Sequence, residues 1–180
     1  MPAYHSNFNE LPGLRSLGNF AFLPLNSSVK GPAPRGDGSE DIVEEALKYF
    51  KANVFFKNFD IKGNADRVLI YLTLYITDCL QKLAKCPTKN DGLKAMNTMS
   101  LETFSLPGDK NGNFPLNGLY QLPEARADAD TMRQYITQLR QEIGIRLCER
   151  VYKNGPADKW WMCFQKRRFL NKSLDGRNAP

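Results

Sequence analysis

Apolar residues recur at three- and four-residue intervals over long stretches of this chain, and that spacing predicts helices. In the first stretch Ile42, Val43, Ala46, Leu47, Phe50 and Val54 form one stripe. Ser39 stands where an N-cap belongs, Glu40 and Asp41 fall where the helix dipole favours acids, and the helix is expected to fray before Gly63. The second stretch is apolar in nearly every direction, through Val68, Leu69, Ile70, Leu72, Leu74, Tyr75, Ile76, Cys79, Leu80 and Leu83. Its early part has the composition of a buried strand. Yet no glycine or proline interrupts it between Asn64 and Pro87, and about 22 residues is far beyond the roughly five or six of a typical strand. It therefore reads as a helix about 33 Å long, capped by Asn64 with Asp66 in its first turn. A helix apolar all round has to be wrapped by its neighbours. The third stretch, about Asp130 to Lys153, presents Met132, Tyr135, Ile136, Leu139, Ile143, Leu147 and Val151 on one face. Glu142 and Arg146 are spaced there for an i,i+4 pair, and Gly155-Pro156 ends the pattern. A weaker helix is expected over Gly92 to Met99 and a final one over Ala157 to Leu170.

The segments between behave differently. Residues 1–38 carry Gly13, Gly18, Gly31, Gly36 and Gly38 with Pro2, Pro12, Pro24, Pro32 and Pro34, and read as an extended arm. Phe20 to Leu25 could form a short strand, too isolated to define a sheet, and is expected to pack across the helices. Residues 100–127 are broken by glycine and proline but keep Phe104, Leu106, Phe114, Leu116, Leu119 and Tyr120 as apolar anchors, so they read as a packed loop. The expected architecture is all-α: a long central apolar helix surrounded by other helices, with an extended N-terminal arm and packed irregular loops. One domain is expected over 1–180, divided into the arm (1–38), a helical core (39–174) and a tail (175–180).

Composition adds limits. At 42% hydrophobic and 24% charged, the chain has the balance of a soluble globular protein. The opening MPAYHSNFNE lacks the basic-then-apolar order of a secretory signal, and Val68 to Ile76 is far too short to span a bilayer. No membrane association is expected, and a cytoplasmic location is. Cys79, Cys86, Cys148 and Cys163 form no CxxC pair and read as buried free thiols. Metal ligation would need close-set Cys/His pairs, and the single histidine, His5, lies in the arm. There is no GxGxxG, no GxxxxGK[ST] and no GxSxG, so no catalytic residue, cofactor or metal is assigned. Glu44 and Glu45 read as solvated surface carboxylates.

Charge singles out one region. The chain is net +6, and Lys159 to Pro180 holds six basic residues against one acid. Inside it, KWWMCFQKRRFLNKSL places both tryptophans next to that charge. Adjacent helical residues point about 100° apart, so one tryptophan should be buried and one partly exposed. Lys159, Trp161, Lys166, Arg167, Arg168 and Lys172 are the candidate residues of a protein interface, on a helix whose basic side chains fan over more than half its circumference. Aromatics beside arginines are typical of interface hot spots. They also suit single-stranded nucleic acid, the alternative reading. Against it, the rest of the chain is nearly neutral and has no RRM, zinc or helix-turn-helix signature, so nucleic acid is not the expected partner.

Several long strings carry a resemblance: MPAYHS, GPAPR at 31–35, DIVEEALKYFKANVFFKNFDIK at 41–62, ADRVLIYLTLYI at 65–76, FPLNGLY at 114–120, LRQEIGIRLCERVY at 139–152 and the tryptophan-containing segment. In order and spacing these resemble the 21-kilodalton subunit (subunit 3) family of the actin-related protein 2/3 complex. The chain departs from the family pattern mainly at 7–15, 89–110, 121–130 and 154–157. The resemblance implies an all-helical fold around one enclosed helix. It implies a noncatalytic role in a seven-subunit assembly that binds the side of an actin filament and nucleates a branch. It further implies a position against actin-related protein 3, facing the mother filament. It supplies no catalytic motif, so no site residue comes from it.

Overall fold

A computed structural model describes residues 2–174, so the expected 175–180 tail, with Asp175 and Arg177, lies outside the described residues. Among the described residues the architecture is mostly helical, with five α-helices and one two-strand hairpin. The helices are α1 (Ile42–Asn53), α2 (Asn64–Leu83), α3 (Lys89–Leu101), α4 (Arg126–Val151) and α5 (Lys159–Met162). Strands β1 (Ser16–Leu17) and β2 (Phe20–Ala21) pair antiparallel, Ser16 opposite Ala21 and Leu17 opposite Phe20.

Helix α2 is buried over most of its surface, from Ala65 and Val68 through Leu80 and Leu83, with Gln81 and Lys82 exposed near its end. It packs against α1, α3, α4, β2 and the short 3-10 turns at Asn7–Glu10 and Phe169–Asn171. Polar side chains inside it bond locally: the Thr73 hydroxyl donates to the Leu69 carbonyl (2.7 Å) and the Thr77 hydroxyl to the Leu74 carbonyl (2.6 Å). This meets the requirement that buried hydroxyls find acceptors. Helix α4 turns the whole expected face inward, with Met132, Tyr135, Ile136, Leu139, Ile143, Leu147 and Val151 fully buried. Gly144 lets α3 come close, because a Cβ at that position would stand 2.8 Å from Met96 Cβ.

The helix boundaries depart from the sequence reading for physical reasons. Asp41, not Ser39, caps α1: its carboxylate accepts from the Glu44 N–H and from the Asn26 N–H, both at 3.0 Å. Ser39 instead bonds Asp37. The helix stops at Asn53, well short of Gly63, where the Asn53 side chain makes two hydrogen bonds to the Tyr4 backbone. Beyond it Phe55 packs on Phe164 and Phe59 on Phe169, and such aromatics favour helix only weakly. Asn64 does not cap α2. Gly63 is the N-cap residue without a capping side chain, and Asn64 bonds Ser16 and Arg67. Helix α3 is longer than the expected Gly92–Met99, because Thr88 caps it by accepting from the Asp91 N–H.

The arm is not simply extended. It contains a 3-10 turn and the hairpin, and it completes the start of α2. Asn9 accepts the Asp66 N–H, while buried Asp66 accepts from the Ser6 N–H, the Lys62 N–H and His5 Nδ1. The expected strand over Phe20–Leu25 is reduced to Phe20–Ala21, and Leu25 makes an isolated bridge to Arg35. Gly18 turns the hairpin at φ 62°, pressed so closely on the Gln121 carbonyl that any Cβ there would collide with it. The 100–127 segment packs through Leu106, Phe114 and Tyr120, whose hydroxyl donates to the Arg67 carbonyl at 2.6 Å, but Leu119, also expected as an anchor, is exposed.

One ionic cluster fastens α1 to α4. Arg146 reaches Asp41 through two bonds of 2.8 Å, Glu142 at 2.8 Å and Glu44 at 3.2 Å, and donates to the Asn26 carbonyl at 2.9 Å. Arg150 reaches Glu44 at 2.6 Å. Glu44 is thus engaged, and Glu45 is buried with only one oxygen bonded, so neither is the solvated carboxylate expected from sequence. Burial pushes the Glu45 carboxyl above its ordinary range. Burial alone would also raise Asp41, but the Arg146 guanidinium and two backbone N–H groups outweigh it and hold Asp41 below the usual carboxylate range.

Two predictions follow from this packing. Replacing Gly144 by Val should overpack the α3–α4 contact and cost about 1–3 kcal/mol in urea unfolding. Arg146→Met should cost about 3–5 kcal/mol at neutral pH, because it strands buried carboxylates. The sign of its pH dependence is fixed by Asp41. In the native chain the depressed Asp41 contributes stability above the ordinary carboxylate pKa of about 3.9, and that stability is lost as pH falls through its lower folded value. The gap between wild type and Arg146→Met should therefore narrow on acidification below that range. A gap that stays constant in a pH series of urea melts would contradict this assignment.

A candidate protein-docking surface at the C-terminal segment

The expected helix over Ala157–Leu170 is the largest local departure from the sequence reading. Only Lys159–Met162 is α-helical, capped by the Asp158 side chain accepting from the Trp160 N–H at 2.7 Å. The chain then turns, Arg168 is extended, and Leu170 and Asn171 adopt left-handed φ of 53° and 57°. Competition for an aromatic wall explains this. Trp161 stacks on Phe50 (ring centroids 6.1 Å apart), Phe164 packs on Phe50 and Phe55 (5.9 and 5.8 Å), and Phe169 meets Phe59 at 6.0 Å. In a continuous helix Phe164 and Phe169 would point about 140° apart and could not both reach that wall. The unwound backbone brings Phe169 into the core, and the Leu170 N–H closes the turn on the Phe56 carbonyl at 3.2 Å. A leucine in the left-handed region is uncommon, and burying Phe169 completely is what holds it there.

This arrangement sorts the candidate residues. Trp161 is buried, 8% exposed, while Trp160 is 76% exposed, the split expected of neighbouring tryptophans. Trp161 therefore supports the surface from beneath, and Trp160 is the tryptophan it displays. Lys159, Lys166 and Arg167 are exposed, and Arg168 and Lys172 are half-buried. The basic side chains do not fan around a helix, since none of 166–172 is α-helical. Arg167 lies over the Phe55 ring at 4.9 Å, and Lys51 lies over the Trp161 ring at 4.5 Å. Such cation–π pairs fix the charges without neutralising them. Phe55 is itself 54% exposed.

Sequence reasoning missed Lys51 and Phe55 as parts of this surface. Both lie on or just past α1, more than 100 residues from the basic cluster, and only the folded packing unites them. The three-residue step from Lys51 to Val54 sets Lys51 beside the apolar stripe, a weak signal at best.

The electrostatics of the surface differ from those of the rest of the chain. Among the described residues, the ion pairs use Arg15, Lys48, Arg146, Arg150 and His5. None uses Lys159, Lys166, Arg167 or Lys172. Lys159, Lys166 and Arg167 expose their charge, and Arg167 does so over the exposed Phe55 ring. Cys163 is exposed here too, which corrects its expected burial; Cys79, Cys86 and Cys148 are buried. His5 is occupied by Asp66 at 2.7 Å, far from a nucleophilic role. Among the described residues no group of three or more His, Cys, Asp or Glu could hold a metal, and no helix is long and apolar enough to cross a membrane.

The two tryptophans give a direct check on this geometry. Trp161→Ala should cost about 3–5 kcal/mol in urea unfolding, as for a large aromatic removed from a core. Trp160→Ala should stay within about 0.5 kcal/mol of wild type. Equal losses would contradict the division into one buried and one displayed ring.

Residues 1–174 match the family model described as P21-Arc: ARP2/3 complex ARPC3 (21 kDa) subunit. A protein of Dictyostelium discoideum named actin-related protein 2/3 complex subunit 3 is 57% identical over 175 residues, spanning 95% of this chain and 99% of that protein. Proteins of the same name from Schizosaccharomyces pombe and Arabidopsis thaliana are 48% and 44% identical, and the matches span 97% and 93% of this chain and 100% and 97% of theirs.

Proposed function

From the premise that the chain belongs to the family of the 21 kDa subunit of the ARP2/3 complex, we propose that it is a noncatalytic structural subunit of a seven-subunit assembly. That assembly binds the side of an actin filament and nucleates a branched filament. Within it the chain docks against actin-related protein 3 and faces the mother filament, in the cytoplasm and the actin cytoskeleton. The whole described chain serves as one domain presenting the surface at 159–172.

The observation that supports a docking role is the unpaired basic face. Lys159, Lys166, Arg167 and Lys172 lack ion-pair partners among the described residues, Arg167 lies over the exposed Phe55 ring, and Lys159 precedes the exposed Trp160. Exposed Trp and Arg side by side have the composition of an interface hot spot. Actin-type surfaces are acidic, and a basic face steers such a partner into register while adding modestly to affinity. Trp161, buried beneath, holds the face in shape.

Charge reversal tests the proposal. The triple variant Lys166→Glu, Arg167→Glu, Arg168→Glu should fold but slow association with the assembly or the filament by about tenfold at low salt, with a flattened salt dependence. Unchanged assembly, branching rate and salt dependence would reduce the patch to a solvated face. Tight, steeply salt-dependent binding of single-stranded RNA or DNA by the wild-type chain in a filter assay would instead favour the nucleic-acid reading.

A further inference from the structure

Two buried carboxylates fasten the N-terminal arm. The Ser6 and Asn7 N–H groups, adjacent in the chain, go to different helices. Ser6 donates to Asp66 of α2 at 2.9 Å, and Asn7 donates to Glu45 of α1 at 3.0 Å. One peptide step thus bridges α1 and α2. Two residues before Ser6, the Tyr4 N–H and carbonyl exchange bonds of 2.9 and 3.0 Å with the Asn53 side chain. Between them His5 meets Asp66 through Nδ1 at 2.7 Å and packs its ring on Phe59 at 4.8 Å, and Phe59 in turn packs on Phe169.

The two acids are unequally provided for. Asp66 is fully buried and also accepts from the Lys62 N–H at 3.0 Å. Glu45 is 1% exposed, and its Oε2 has no partner. Among the described residues no lysine or arginine pairs with either acid. Lys48 of α1 is exposed and pairs with exposed Glu40 at 3.3 Å, and Lys62 serves Asp66 only through its backbone. His5 is therefore the one group able to bring positive charge into contact with the pair, and it does so at Asp66.

Drawing Glu45 out of water disfavours its ionised form, and the charges of Glu40 and Asp66 disfavour it further. Its bonds from Ser6 and Asn7 offset this only in part, so its carboxyl titrates above the ordinary range. With the arm opened, Glu45 meets water and returns to about 4.3. The closed arm therefore holds the Glu45 proton more tightly than the open one. That contribution to closure is fully present below about pH 4.3 and is lost as pH rises through the raised value. A proton on His5 acts in the same direction, because an imidazolium makes its bond to Asp66 charge-assisted.

We propose that residues 4–9 are a proton-operated latch across α1 and α2, drawn tight in mild acid and loosened towards neutral and alkaline pH. The Asn53 bonds to Tyr4 involve no ionisable group and give the arm a pH-independent hold on which the latch acts. This inference stands independently of the docking role at 159–172.

The test is amide hydrogen exchange on the full chain by NMR, with each rate divided by the intrinsic rate at that pH. Protection of the Ser6 and Asn7 amides should fall about threefold or more between about pH 5 and about pH 7.5, while amides inside α2 keep theirs. Glu45→Gln should raise Ser6 and Asn7 protection about threefold at the higher pH and remove most of the slope, and adding His5→Gln should remove the rest. Should Glu45→Gln fail to fold, the wild-type chain still decides, since the carboxyl carbon shift of Glu45 should titrate with a midpoint above about 4.3. Protection that is constant or rises with pH, a slope unchanged in Glu45→Gln, a parallel loss inside α2, or a Glu45 midpoint at or below the ordinary value would each overturn the proposal.

Discussion

The rest of the structure depends on one constraint: the apolar residues of α2 circle the helix, which leaves only a few polar residues, such as Gln81 and Lys82, for water. Leu69, Ile70, Leu72, Leu74, Tyr75, Ile76, Cys79 and Leu80 are all essentially buried, and together they circle the helix. Water-excluding cover must therefore come from every direction at once. Helices α1, α3 and α4 supply part of it, and the hairpin and the two 3-10 turns close the gaps. Burying apolar area at about 25 cal/mol per Å² makes this the dominant favourable contribution, and it ties the ends of the chain to its middle. The N-terminal arm contributes cap bonds to Asp66 as well as cover, and Phe169 completes the far end. Surface features then appear where the covering segments have residues left over.

The distribution of charge follows from the same packing. Drawing α1 against α4 brings Asp41, Glu44 and Glu142 around Arg146, so much of the acid in the core helices is spent on a structural cluster. At the C-terminal segment Arg167 lies over the Phe55 ring, and Lys51 of α1 lies over the Trp161 ring. A positive surface with exposed rings is what remains. Its charge comes from sequence, but its shape comes from the competition of Trp161, Phe164 and Phe169 for one wall.

Much of this was legible in the sequence. The period of α4 marked seven of its fully buried apolar residues, Cys148 being the one outside the stripe, and the length of the run after Asn64 separated helix from strand. The Glu142–Arg146 spacing signalled a pair that does form. Elsewhere, local rules lost to long-range contacts. Ser39 is a sound capping residue, but Asp41 has Arg146 and the Asn26 N–H to hold it in place. Residues 157–170 contain no glycine and, after Pro156, no proline, so nothing local warned that the helix would stop at Met162. That stop is set by Phe59 and Phe56, about 110 residues away in sequence. Glu45 looked like an ordinary surface charge, because a buried carboxylate beside Glu44 adds nothing to the apolar stripe of its helix. Phe55 belonged to no stripe, and its place beside Arg167 required the fold.

The most direct measurement is amide hydrogen exchange on the full chain, free and within the assembly its family forms. The account predicts that α2 exchanges slowest in both states, only through global opening, because its cover comes from the chain itself. It predicts that residues 159–172 exchange readily in the free chain and become protected on assembly or on filament binding. Rapid exchange of α2 in the free chain would contradict the view that the fold closes around that helix unaided. Residues 159–172 left as unprotected in the bound state as in the free chain would contradict the docking role of the basic face.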